Sequence, residues 1–312
     1  MRNEACPVAR RRWLSLPGDG MSPYGGGSLA TSLRGGANRS RSLGGMTLSS
    51  EGARLCSSHR RMKGQRPIMT FARQYAGAIR KQLEQIEATQ LSAVEAAGAI
   101  CAAALCHDRW IYAFGTGHSH LFAEELFYRA GGLARVRPML HGPLMLHESA
   151  RGSTECERDP ALVDLLLNRY PMQAADVLLI ASNSGRNPVP VELAMRAAAL
   201  GVKVIGLTNR RHSEAFASRH ASGKKLGECV DVLLDNCGVI GDACVDLPGA
   251  GYSIGSASTV TGSFLIQMMV CHAIETAMQQ GWDAEVFSSS NGGNEELNEV
   301  LLRRYGPLVR HL

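Results

Sequence analysis

No apolar run in this sequence is long enough to cross a membrane. Stretches such as Val177 to Ala181 and Phe264 to Val270 fall well short of the roughly 18–20 residues a bilayer-spanning helix needs. No Cys-x-x-Cys pair occurs among the nine cysteines, at 6, 56, 101, 106, 156, 229, 237, 244 and 271. Odd in number and scattered, they read as reduced thiols of a cytoplasmic protein, several of them small buried hydrophobes. Cys229, Cys237 and Cys244 are too loosely spaced for zinc, and no histidine stands at ligand spacing, so no metal is expected. Nucleotide fingerprints are missing as well. "GTGHSH" lacks the third glycine of G-x-G-x-x-G, the following segment "ARVRPML" does not end on an acid, and no G-x-x-x-x-G-K-S/T occurs; no cofactor is implied.

Excess positive charge is also missing from most of the chain. The formal net charge is +5, but residues 1–68 hold 12 Lys/Arg against 3 Asp/Glu, which leaves 21 against 25 in the remainder. That remainder is mildly acidic, and the basic leader has neither interleaved aromatics nor a DNA-binding motif, so no nucleic-acid partner is expected. The leader, with "YGGGSLATSLRGGANRSRSLGG", has too little apolar periodicity to offset its chain entropy. A disordered tail, a targeting peptide and translated sequence upstream of the true start all fit; glycines interrupt any transit-type amphipathic helix. A disordered or non-native leader is favoured, because "MTFARQYAGAIRKQLEQI" from Met69 reads as a natural beginning.

The 312 residues, 45% of them hydrophobic, support a sizeable core. Ile79, Leu83, Ile86, Val94, Ala97 and Cys101 form a helical stripe on one long amphipathic helix. Beyond it, strands at 110–114, 134–140, 176–181, 202–207 and 230–234 alternate with helices at about 119–130, 162–170, 189–200 and 259–280. Strands that read as continuous apolar runs argue for a parallel sheet covered on both faces, a three-layer α/β sandwich of one domain.

In such a sheet, ligands gather where strand ends lead into helices. Two turns fit: "FGTGHSH", with Gly115, Thr116, Gly117, His118 and Ser119, and "SNSGRNP", with Ser182, Asn183, Ser184, Gly185, Arg186 and Asn187 before Pro188. Glycine admits close backbone approach, a helix start supplies free N–H groups, and hydroxyls add donors; together they suit an anion. Simple helix capping by Ser and Asn explains one such turn equally well. Two on neighbouring strands favour a ligand site.

With these motifs the sequence resembles the SIS (sugar isomerase) domain family, whose members bind phosphorylated sugars through a Ser-x-Ser-Gly turn and a Gly-x-Gly-x-Ser turn. The resemblance covers about residues 75–285, taking in "SNSGRNPVPVELAMRAAALGVKVIGLT" and the Ser/Thr-rich "GSASTVTGSF". It implies a five-stranded parallel, flavodoxin-like sheet preceded by the long N-terminal helix, with residues 69–312 one SIS domain carrying a C-terminal extension. "HASGKKLGECVDVLLDNCGVIGDA" looks most like an uncharacterised branch of that family; among characterised members, phosphoheptose isomerase is nearest. The resemblance implies phosphosugar contacts from Gly117, His118, Ser119, Ser182, Asn183, Ser184, Gly185, Asn187 and one of Ser258 or Thr259.

Aldose–ketose isomerisation needs a base for the proton beside a carbonyl and an acid at its oxygen. Glu124 and Glu125 in "SHLFAEELF" are about 100° apart on a helix, so one can face the site. The resemblance selects Glu125, and selects His272 in "MMVCHAIE" as its partner, with the two meeting across a subunit interface as one option. Solvated glutamates and a core histidine are the plainer readings. Leu121 stands where the isomerase has a metal-ligand histidine. His147 and Glu148, in the long polar excursion after His141, are further candidates for covering the sugar. The expected partner is a phosphorylated sugar or amino sugar. The expected activity is an isomerase, with a non-catalytic sensor or an etherase/lyase as alternatives. The apolar surface on the two long helices argues for a homodimer or tetramer.

Overall fold

The computed structural model describes residues 70–292 and 295–312, and the leader expected over 1–68 lies outside them. The long helix α1 (Phe71–Cys106) starts where the Thr70 side chain accepts a hydrogen bond from the Arg73 N–H, capping one of the donors that a helix start leaves open. Then follow β1 (Ile111–Gly115), α2 (Leu121–Leu126), β2 (Val136–Pro138), α3 (Ala150–Cys156), α4 (Leu162–Arg169), β3 (Val177–Ala181), α5 (Pro188–Ala199), β4 (Lys203–Thr208), α6 (Arg210–Glu214) and β5 (Val232–Asp235). An antiparallel ribbon, β6 (Ala243–Asp246) with β7 (Ser253–Ser256), precedes α7 (Ser258–Gln279) and α8 (Glu295–Tyr305).

The five strands pair in parallel in the order β2-β1-β3-β4-β5, the doubly wound arrangement expected. Alternation along each strand feeds two cores. Ile111, Ala113, Val177 and Leu179 face α1, α2 and α7, whereas Tyr112, Phe114, Leu178 and Ile180 face α4 and α5. Each fully buried Ile, Leu, Val or Phe among them contributes roughly 1.5–3 kcal/mol. By length and composition α1 would reach across a bilayer, which the short apolar runs did not suggest. In the fold its stripe of Ile86, Val94, Ala97 and Cys101 lies in the core with Leu265, Met269 and Ala273 of α7.

Three segments depart from expectation. The helix anticipated to Ala130 stops at Leu126, because Tyr128 takes a left-handed φ of 42° and its ring meets Phe287 edge-on at 4.9 Å. Backbone bonds then tie Gly131 to Phe287 and Ala134 to Glu285, which also shortens β2 to three residues. The ribbon β6–β7 carries one buried apolar residue, Val245, too little patterning for the sequence to announce it. The C-terminal extension packs along the β2 edge. There Tyr305 of α8 meets Trp110 at 5.7 Å and donates to Glu285, while Arg135 bonds Tyr305, Glu285 and Asp108.

Candidate functional site

β1 and β3 are neighbours in register, Gly115 opposite Ala181, and their outgoing helices α2 and α5 pack on opposite faces of the sheet. This is a topological switch point, the place where ligands of such sheets bind. Both sequence-predicted turns line it.

In the first turn a Cβ on Gly115 would run into the Ser119 carbonyl, and Gly117 has φ 54°; glycine is required at the one for space and at the other for conformation. Ser119 is half-buried, and among the described residues its hydroxyl has no partner. His118 is exposed. His120 is buried, bonds the Gly117 carbonyl and lies 5.4 Å from the His147 ring. A bridge between Gly117 and Met145 brings the polar excursion alongside, with exposed His147 and Glu148 at its rim.

The second turn is more tightly wired. Ser182 accepts the Gly185 N–H at 3.2 Å. Gly185 has φ 58°, and a Cβ there would sit 2.9 Å from Thr208 Oγ1. Asn183 turns back into the protein, its carbonyl accepting from Asn209 N and its Oδ1 from Asn236 Nδ2 at 2.9 Å. Ser184 is half-buried with an unpartnered hydroxyl among the described residues. The N–H groups of Asn183, Ser184, Arg186 and Asn187 likewise meet no acceptor among the described residues.

Residues that sequence reasoning missed join the two turns. Glu157, just past α3, accepts from Thr116 Oγ1 at 2.7 Å on one carboxylate oxygen and from Asn187 Nδ2 at 2.6 Å on the other. Its carbonyl accepts the Val189 N–H. Asn187 Oδ1 in turn takes Arg219 Nη1 at 2.9 Å, so the Asn187 side chain is engaged at both ends and offers a ligand only its backbone N–H. Arg186 rests 5.4 Å from the Phe216 ring, and its buried Nε has no partner among the described residues. Burial, then the guanidiniums of Arg186 and Arg158, hold Arg219 below its ordinary value, with Glu157 opposing. Burial and Arg186 similarly lower His212, whose Nδ1 accepts the Gly241 N–H. Arg186 was visible in the motif; the others converge only through folding.

The start of α7 comes to the same end of the sheet. Gln82 donates to the Asn236 carbonyl and to Thr261 of α7, and Asn236 holds Asn183. Asp242 already sits on this helix start, accepting from the N–H groups of Ala257 and Ser258 and from Ser258 Oγ at 2.8 Å. Thr259 is exposed. Glu125 is held by Gln267 Nε2 at 2.8 Å and paired with Arg129. His272 faces α1, where a Cβ on Gly98 would lie 2.7 Å from its ring. Neither ion pair nor hydrogen bond joins Glu125 to His272 among the described residues. The described residues also hold no group of three or more His, Cys, Asp or Glu placed for a metal, and the seven described cysteines are free. A cavity of about 410 Å³ lies away from the turns, beside Asp231 and Glu228. Another of about 270 Å³ adjoins Gln82 and Cys237 on the α1 side. Neither has the donor arrangement of the switch point.

Residues 74–209 match the model of the SIS domain. A UPF0309 protein of Thermoanaerobacter pseudethanolicus is 37% identical over 244 residues, 77% of this chain and 99% of that relative. One from Halalkalibacterium halodurans is 39% identical over 232 residues, 74% of this chain and 96% of its own length. Among solved structures, a phosphoheptose isomerase from Neisseria gonorrhoeae is similar over 66% of this chain and 96% of its own, at 18% identity and a TM-score of 0.43. With two such relatives covered almost end to end, the chain is a SIS-domain protein and belongs to the UPF0309 family.

Proposed function

We propose that the two turns form one phosphate cradle and that the protein is an aldose–ketose isomerase acting on a phosphorylated sugar or amino sugar. The observation that carries the reading is the side-by-side placement of residues 115–120 and 182–187 at the switch point, with uncommitted N–H groups and the free hydroxyls of Ser119 and Ser184. A phosphate monoester presents three strong acceptor oxygens to such donors. Gly117 and Gly185 allow the close approach, Ser182 braces the turn, and Asn183 fixes it from behind. Asn187 contributes its N–H. Ser258 becomes available once Asp242 leaves it, and Thr259 stands beside it.

In the reaction a base removes the proton from the carbon next to the carbonyl and returns it to the neighbouring carbon, while an acid exchanges the oxygen-bound proton; no atom is gained or lost. Glu125 and His272 are the pair for these transfers. Because no bond links them within one chain, His272 acts in this reading from a second copy, and a homodimer or tetramer is part of the proposal. His118, His147 and Glu148 rim the first turn, where sugar hydroxyls would meet them. Residues 69–312 then work as one SIS domain with its extension, in the cytoplasm and without membrane or nucleic-acid partners.

One observation favours a non-catalytic sensor instead: Glu125 is committed to Arg129 and Gln267, both on the same carboxylate oxygen, before any sugar arrives. A thermal-shift panel of sugar phosphates followed by NMR of the bound sugars separates these readings. Ligand-induced stabilisation that Ser184→Ala weakens supports the cradle, and aldose–ketose interconversion lost in Glu125→Gln supports the isomerase. Stabilisation without interconversion leaves the sensor. No response to any sugar phosphate sinks the cradle.

A further inference from the structure

The cradle already has enough donors for a phosphate. The second turn offers four N–H groups, and Ser119, Ser182 and Ser184 add hydroxyls; three phosphate oxygens are served by these alone. The positive dipole end of α5, twelve residues long, points the same way. None of this uses a side-chain cation.

Yet three arginines gather beside the second turn. Arg186 follows Gly185 directly, with its guanidinium near Phe216 and its buried Nε unpartnered among the described residues. Arg219 is bolted next to it, its N–H donating to the Arg186 carbonyl at 2.9 Å and its Nη1 to Asn187. Arg158 adjoins Glu157 in the chain and is near enough to oppose the charge on Arg219. Glu157 is the carboxylate that faces them, and both its oxygens are occupied by Thr116 and Asn187. None of the three arginines forms an ion pair among the described residues. Arg158 and Arg219 are exposed, so water screens their repulsion, but the buried Arg186 Nε has no acceptor among the described residues, a donor left at a cost until a ligand meets it. An incoming anion relieves it. A guanidinium placed over an aromatic ring, as that of Arg186 is at 5.4 Å from Phe216, is also suited to planar, bidentate recognition of a carboxylate or phosphate.

We infer that the ligand is a sugar phosphate bearing a second anionic group, a carboxylate or another phosphate, and that Arg186, Arg219 and Arg158 receive that second group. The inference rests on the phosphate-cradle reading and names the substrate class for it.

The test is calorimetric titration of the full chain with three probes: glucose 6-phosphate, 6-phosphogluconate and fructose 1,6-bisphosphate. Replacing a charge-assisted contact costs roughly 1.5–3 kcal/mol, so at least one doubly anionic probe binds about tenfold or more tighter than glucose 6-phosphate. The probe that wins tells carboxylate from phosphate. Arg186→Gln and the double variant Arg158→Gln/Arg219→Gln lower its affinity toward that of glucose 6-phosphate, so that the ratio between the two probes narrows. Arg186→Lys keeps the charge but loses the fork, and retains only part of the preference. Melting curves confirm that each variant is folded. Equal affinity for all three probes, or a preference the arginine variants leave intact, overturns the inference while the cradle stands. Failure of every probe, with Ser184→Ala indistinguishable from the parent, overturns both.

Discussion

Glu157 gives one carboxylate oxygen to Thr116 and the other to Asn187, and so fixes the spacing between two turns that no backbone pairing joins. Its amide counterpart keeps one acceptor oxygen for Asn187 and must turn its –NH₂ to the Thr116 hydroxyl, so both bonds lose their charge assistance. Glu157→Gln therefore keeps the fold but weakens sugar-phosphate binding by about tenfold, the effect of one charge-assisted bond. Titration of the variant against the parent checks it, and unchanged affinity would show that the turns hold their spacing unaided. At this scale the sequence announced what local chemistry demands. Gly117 and Gly185 have the positive φ their motif positions suggest, and Ser119 and Ser184 keep free hydroxyls. It could not announce Asn187, whose side chain is claimed by Glu157 and Arg219 from 30 and 32 residues away. Nor could it announce that Asn183 turns inward to Asn236.

Among the elements, α1 and α7 were legible because their apolar stripes are long, whereas α2 was overread because its last turn is captured by residues 285–287. Tertiary contacts override a helical pattern that is only a few residues long. The contact of α1 with α7 has a specific weak point at Gly98, where an added Cβ would stand 2.7 Å from the His272 ring and 3.1 Å from the Met269 carbonyl. Gly98→Ala gains helix propensity but overpacks this contact, costing about 1–3 kcal/mol. Urea unfolding measures the loss. Adding His272→Ala recovers part of it, and a double-mutant cycle with no coupling would mean that the ring is not what blocks the methyl.

Over the whole molecule, strand alternation and the two turns fixed the class of fold in advance. The order β2-β1-β3-β4-β5 was not legible in the residues, and the resemblance implied only a flavodoxin-like parallel sheet, because single-strand patterns carry no information about which neighbour a strand takes. Global stability should fall in alkali. Complete burial in the core pushes the Cys101 thiol from 9.0 to about 12, so between those values the unfolded chain releases a proton that the folded one keeps. With fewer protons on the unfolded state, stability declines as pH rises through this window, and Tm drops accordingly. Cys101→Ala makes that drop shallower; an identical slope would place its origin elsewhere. Thiol labelling at pH 8 gives an independent view, with exposed Cys271 reacting in the native protein and buried Cys101 only on unfolding. Asp242 adds a complication to any ligand screen read by melting. Its carboxylate already supplies the anion at the head of α7, so a phosphate arriving there performs an exchange of one cap for another. At that contact the heat stability gained is only the difference between two caps, so Tm will understate affinity in the parent protein and report it more fully in Asp242→Ala.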